Sequence, residues 1–195
     1  MKLALAAGLL LCAPLYANQA WQVQTVATDL DFPWAVAFLP DGKYLLTERT
    51  GNIVLLAADG SLLKRQQALL PNIFIAAQGG LLDLQLASDF ATSGRLFLSY
   101  ACGTLNANST CLASALWQDQ QLTAIRPLFK AQPDRQGAAH YGGRMALLPD
   151  QSILLTLGDG FDYREQAQNP ANHLGKIVRV NIDGKALPDN PLFNE

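Results

Sequence analysis

Trp34-Ala35-Val36-Ala37-Phe38-Leu39-Pro40-Asp41-Gly42-Lys43-Tyr44-Leu45-Leu46-Thr47 runs as an apolar strand, a turn carrying an aspartate, and a second apolar strand. The unit returns twice. Its second form is Leu82-Asp83-Leu84-Gln85-Leu86-Ala87-Ser88-Asp89-Phe90 followed by Gly94-Arg95-Leu96-Phe97-Leu98-Ser99. Its third is Met145-Ala146-Leu147-Leu148-Pro149-Asp150-Gln151-Ser152-Ile153-Leu154-Leu155-Thr156. The turn aspartates Asp41, Asp89 and Asp150 stand 48 and 61 residues apart. A further strand also recurs, as Gly51-Asn52-Ile53-Val54-Leu55-Leu56 and as Gly175-Lys176-Ile177-Val178-Arg179-Val180. Both copies run on to an Asp-Gly turn, at Asp59-Gly60 and Asp183-Gly184. A repeat of about 40–50 residues built from several short strands predicts a β-propeller. A β-sandwich would explain the strands but not the recurring unit.

Helical periodicity is nearly absent elsewhere, and short apolar runs alternate with Gly, Pro, Asn and Asp. Strands are expected at residues 34–39, 44–48, 53–57, 81–86, 95–101, 113–118, 144–148, 153–157 and 176–182. The fold class is therefore all-β, with about three blades. Propellers close with roughly four to eight. The chain stops in a loop, Asn190-Pro191-Leu192-Phe193-Asn194-Glu195, just after a strand. The expectation is the N-terminal half of a longer protein, or a truncated reading frame. Open sheet edges would invite pairing between chains, a homodimer being the simplest case.

The N-terminus reads as an export signal, with Lys2 followed by an apolar run over residues 3–13 that is too short to span a bilayer. Cleavage is expected after Ala17, leaving a partial propeller domain over residues 18–195. Ala20 is a second cleavage point, and acylation of Cys12 a second reading. A buried helix is disfavoured because Pro14 breaks the run. The mature chain would be periplasmic or secreted, without stable membrane insertion. Loss of Lys2 takes the formal charge from -2 to -3. No basic stripe remains, which argues against nucleic acid as a partner. In an oxidising compartment Cys102 and Cys111, flanking the polar stretch 103–110, are expected to pair and pin a hairpin.

Two motifs carry chemistry. Gln78-Gly79-Gly80-Leu81-Leu82-Asp83 and His140-Tyr141-Gly142-Gly143-Arg144 each precede the innermost strand of a blade. Innermost strands of a propeller all run the same way, so Gln78 and His140 emerge at one mouth of the channel. The next strand returns antiparallel, and its end in the third blade is Gly158-Asp159-Gly160. Strand direction thus predicts a cluster of Gln78, His140 and Asp159. A carboxylate that accepts one ring N–H of a histidine fixes the tautomer and leaves the other nitrogen to take a proton. A lone His is more often a loop residue, and Asp in Gly-Asp-Gly more often a turn former. His173 reads as a structural turn residue, Arg144 as a tie between loops or an anion site, and Glu48-Arg49 as a surface or inter-blade ion pair.

At these residues the chain resembles the soluble pyrroloquinoline-quinone (PQQ)-dependent sugar dehydrogenases, the glucose/sorbosone dehydrogenase family, and especially the aldose sugar dehydrogenases. The likeness runs from about Val26 to the end. It rests on Phe32-Pro33-Trp34-Ala35-Val36-Ala37-Phe38-Leu39-Pro40-Asp41-Gly42, Thr47-Glu48-Arg49, the Gln78 and His140 motifs, Asp89-Phe90, Leu157-Gly158-Asp159, Asn172-His173-Leu174-Gly175-Lys176 and Asp189-Asn190-Pro191. The ordered set is specific where one motif alone would be weak. The resemblance implies a six-bladed propeller with quinone and calcium at the channel mouth. It implies His140 as the general base that deprotonates the anomeric hydroxyl, Asp159 as the carboxylate that orients it, and Gln78 as a cofactor contact. An aldose would be oxidised to its lactone, with hydride transfer to the quinone and electrons passed to an external acceptor. The family's cofactor-clamping Arg and Lys and its calcium ligands would lie beyond residue 195, so this chain alone is expected to be inactive. The segment Phe161-Asp162-Tyr163-Arg164-Glu165 does not follow the family pattern. A non-catalytic propeller that binds sugar or protein is the alternative of another class. A metal-dependent propeller lactonase is disfavoured, because carboxylates at the blade mouths are too few.

Overall fold

A computed structural model describes residues 21–191 of the chain. The signal segment expected over residues 1–17, with Cys12, lies outside them. Among the described residues, eleven strands form three antiparallel sheets: β1 Pro33–Phe38, β2 Tyr44–Glu48, β3 Asn52–Leu56 and β4 Leu62–Gln67; β5 Leu81–Leu86, β6 Arg95–Thr104, β7 Ala107–Gln118 and β8 Gln121–Lys130; β9 Gly142–Leu147, β10 Ile153–Leu157 and β11 Ile177–Val180. Each sheet is an up-and-down meander of strands in chain order, two sheets with four strands and one with three. This is the blade of a propeller, and the expected three blades are present.

The expected turns are formed by the expected aspartates in two of the three units. Asp150 Oδ1 accepts the Ser152 N–H at 3.0 Å, and Asp41 Oδ1 accepts the Lys43 N–H at 3.2 Å. Such side-chain-to-backbone bonds two residues on are what Asp offers a turn. The second unit differs. A short helix, α1 Phe90–Ser93, follows Asp89, because this turn is longer than the other two, and Gly94 ends it in the left-handed conformation.

Central strands are buried on both faces, which is why they read as unbroken apolar runs rather than alternating ones. Leu45, Ile53 and Leu55 of the first blade meet Leu81, Leu96, Leu98 and Tyr100 of the second. Phe97 and Leu112 on the opposite face of the second blade meet Met145, Ile153, Leu155 and Val180 of the third. Leu46, Val54 and Leu56 pack under Ala27 and Leu30 of the segment that precedes β1.

Polar ties join the blades near the inner strands. Thr47 Oγ1 donates to the Leu82 carbonyl at 2.6 Å, and Ser99 Oγ donates to the Gly143 carbonyl at 2.6 Å. Buried Asp83 accepts from the Met145 N–H at 2.6 Å and from Arg144 Nη1 at 2.9 Å. The Arg144 guanidinium also lies 4.1 Å from the centroid of the Trp34 ring. Arg144 thus ties all three blades together. Glu48 and Arg49 do not pair with each other. Glu48 is fully buried and bonds Arg65 at 2.9 Å within its own blade, whereas Arg49 reaches across to the Ala77 carbonyl of the next. Adjacent residues of a strand end point to opposite faces, so sequence neighbours here serve different interfaces.

Cys102 and Cys111 form a disulfide between β6 and β7. The stretch 103–110 is less of a loop than its composition suggests. The strands continue through it to Thr104↔Ala107, leaving a tight turn at Leu105-Asn106.

Candidate active site

The three loops named by strand direction do meet. His140 immediately precedes Tyr141 and the start of β9, and Asp159 follows the end of β10. The antiparallel register pairs Leu157 with Gly142, and the Gly158 N–H donates to the Tyr141 carbonyl at 2.9 Å. That pairing carries Asp159 alongside His140. His140 Nδ1 and Asp159 Oδ1 stand 2.9 Å apart. Gly158 permits the approach: a Cβ there would lie 1.7 Å from the His140 carbonyl oxygen.

Gln78 enters from the second blade. Its Oε1 accepts the His140 backbone N–H at 2.9 Å, and its own N–H donates to the Ala138 carbonyl at 3.0 Å. The turn that carries it is held by Arg49 Nη1, which donates to the Ala77 carbonyl. The Gln78 amide nitrogen makes no hydrogen bond among the described residues.

The Asp159 carboxyl is held below the usual carboxylate range, first by the Phe161 N–H, which donates to Oδ1 at 2.8 Å, and then by the His140 ring. An ionised carboxylate can only accept, so the proton of the shared bond sits on Nδ1. In the neutral ring, Nε2 then carries the lone pair. The His140 side chain is 42% exposed against 24% for Asp159, so the ring edge, not the carboxylate, is offered to solvent. The Phe161 ring stands edge-on to the imidazole at 5.1 Å between centroids.

The open side is a cleft of about 360 Å³ lined by Trp34, Arg49, Gln78, Leu82, His140 and Tyr141. An arginine, a glutamine and a histidine thus share one cleft. Among the described residues no three His, Cys, Asp or Glu side chains converge to hold a metal ion. His173 lies outside the cleft. Its Nδ1 accepts the Gln132 N–H at 2.9 Å and its ring packs on Phe129, a structural role as expected.

Sequence reasoning missed the groups that hold the His140 loop from beneath. Fully buried Asn108 accepts the Tyr141 hydroxyl at 2.8 Å and donates to the Gly137 carbonyl at 2.7 Å. Thr110 Oγ1 donates to the Tyr141 carbonyl at 2.7 Å. Arg135 packs under the same turn. The one signal available was Asn108-Ser109-Thr110, a polar run inside a cysteine-bounded hairpin.

These blades match known proteins. The family model described as Glucose / Sorbosone dehydrogenase matches residues 30–195. The aldose sugar dehydrogenase YliI of Escherichia coli K12 is 32% identical over 176 residues, covering 89% of this chain and 47% of that protein. The crystal structure of the soluble aldose sugar dehydrogenase of Escherichia coli in its apo-form superposes with a TM-score of 0.80 at 32% identity, covering 88% of this chain and 50% of that one. The PQQ-bound form of aldose sugar dehydrogenase from Streptomyces coelicolor superposes with a TM-score of 0.76 at 27% identity, covering 87% and 50%. The chain spans about half the length of the relatives it matches.

Proposed function

We propose that this chain, which belongs to the Glucose / Sorbosone dehydrogenase family, carries the base and its orienting carboxylate for PQQ-dependent oxidation of aldose sugars. One observation carries the reading: an exposed imidazole, bonded through Nδ1 to a carboxylate, belongs to a residue that lines a cleft between blades.

The residues of the cleft suit the cofactor. Gln78, with its amide nitrogen unengaged, and Arg49 are donors for an anionic, planar group, and they sit on the same cleft as His140. When bound, the quinone supplies a two-electron acceptor for the hydride that leaves the sugar carbon. His140 Nε2 takes the proton of the anomeric hydroxyl. Asp159 keeps the ring in the tautomer that can do so and stabilises the positive charge that develops on it. The Phe161 ring packs edge-on against the imidazole and helps hold its orientation. The product of these losses, one proton and one hydride, is the lactone. Calcium enters the proposal through the family resemblance. Export to the periplasm or beyond is supported by the Cys102–Cys111 disulfide, a bond that persists in oxidising compartments.

The test is dye-coupled aldose oxidation by the protein that carries this chain. Added PQQ and calcium are expected to start the reaction and yield a lactone. Activity that follows nicotinamide instead, or no aldose oxidation with the quinone present, contradicts the proposal.

A further inference from the structure

Arg135 stands out among the groups beneath the site. It is 4% exposed, yet no carboxylate pairs with it among the described residues. Burying a guanidinium without an anion is costly, and a buried unpaired donor calls for a reason. One of its nitrogens, Nη1, is buried with no hydrogen bond among the described residues. Another faces the active loop. Nη2 donates to the His140 carbonyl at 3.4 Å, and the guanidinium carbon lies 4.2 Å from the centroid of the Tyr141 ring. From the other side Gly160 closes on the side chain: a Cβ there would lie 2.3 Å from Arg135 Cδ. Arg135 is thus clamped between the two loops that carry His140 and Asp159.

His140 needs such a clamp. Its φ is +50°, the left-handed region that L residues seldom adopt, and such a backbone persists only where its surroundings over-determine it. Gln78 takes the N–H of residue 140, while Arg135 and the Gly160 N–H take its carbonyl. Arg135 is itself fixed through its backbone, which exchanges two 2.9 Å hydrogen bonds with buried Asn108. Desolvation pushes the Arg135 pKa down, while Tyr141 first, and then Tyr163 and Asp159, pull it back up.

We propose that Arg135 is a positioning residue for His140: its buried guanidinium, held between the His140 carbonyl, the Tyr141 ring and Gly160, fixes the left-handed backbone that aims Nδ1 at Asp159. It touches neither sugar nor cofactor and acts through His140. The kinetic part of its test rests on the reading of His140 as the base, and the spectroscopic part does not.

The chain has two histidines, His140 and His173. Their ring N–H signals are separable by NMR and assignable with His140→Gln and His173→Gln. In Arg135→Met the hydrogen-bonded Nδ1–H signal of His140 is expected to disappear while that of the His173 ring stays in place. Turnover of the protein that carries this chain should fall roughly tenfold to a hundredfold with the aldose KM changed by less than about threefold, the mark of a misplaced base. Arg135→Lys keeps the cation but loses the fork, and should recover part of both losses. It also serves as the folded variant if Arg135→Met does not fold. A wild-type ring signal and turnover in either variant, or a loss of thermal stability with the ring signal intact, overturns the proposal. Full activity of His140→Ala would overturn the base reading instead, and the ring signal would still decide for or against Arg135.

Discussion

At the scale of single residues, the candidate site depends on one hydrogen bond. The His140–Asp159 contact at 2.9 Å fixes which nitrogen carries the proton. The Phe161 N–H first, and then the His140 ring, stabilise the Asp159 carboxyl as an anion, so their contribution is present above the ordinary carboxylate pKa and is lost as the pH falls through the lowered one. Asp159→Asn keeps the size of the side chain but can donate as well as accept, so either tautomer of the ring becomes tenable. Turnover is expected to fall about 10- to 100-fold with quinone affinity little changed. Unchanged turnover in this variant would show that the carboxylate does not orient the ring.

At the scale of elements, inner strands are joined by groups that each satisfy a partner in the next blade. Asp83 is the central one. It is 4% exposed and accepts from Arg144, from the Met145 N–H and from the Leu84 N–H. Asp83→Ala leaves those buried donors unpaired and is expected to destabilise the fold by about 2–4 kcal/mol in denaturant unfolding. Arg144 is more than half exposed, so its charge adds little to that figure. A loss below about 0.5 kcal/mol would mean that apolar contacts alone align the blades. Strands of this kind were legible in the sequence where both faces are buried: β2, β5 and β10 fall where their apolar runs predict. Outer strands were not. β4 is Leu62-Leu63-Lys64-Arg65-Gln66-Gln67, largely exposed, and β8 is interrupted by Pro127 and mixes apolar with charged residues. Neither has to bury a continuous face, so neither carries a strong pattern.

At the scale of the whole molecule, the repeat made the blades legible, and the blades made the site legible. Strand direction alone brought Gln78, His140 and Asp159 to one mouth, across 62 residues between the first two. It could not show what lies beneath them. Arg135, Asn108 and Tyr141 form the support of the His140 loop through burial, and a lone arginine in a polar loop carries no sign of being buried. Nor could it separate Glu48 from Arg49, because facing is set by which blade lies beyond each side chain. The central claim is that loops from different blades assemble one base for sugar oxidation. The most direct measurement compares His140→Ala with the unaltered protein carrying this chain, reading aldose turnover and quinone affinity side by side. Turnover is expected to fall at least a hundredfold while quinone affinity changes by only a fewfold, since a base acts in the chemical step. Equal turnover in the two proteins, or a loss explained entirely by failure to bind quinone, would contradict the account.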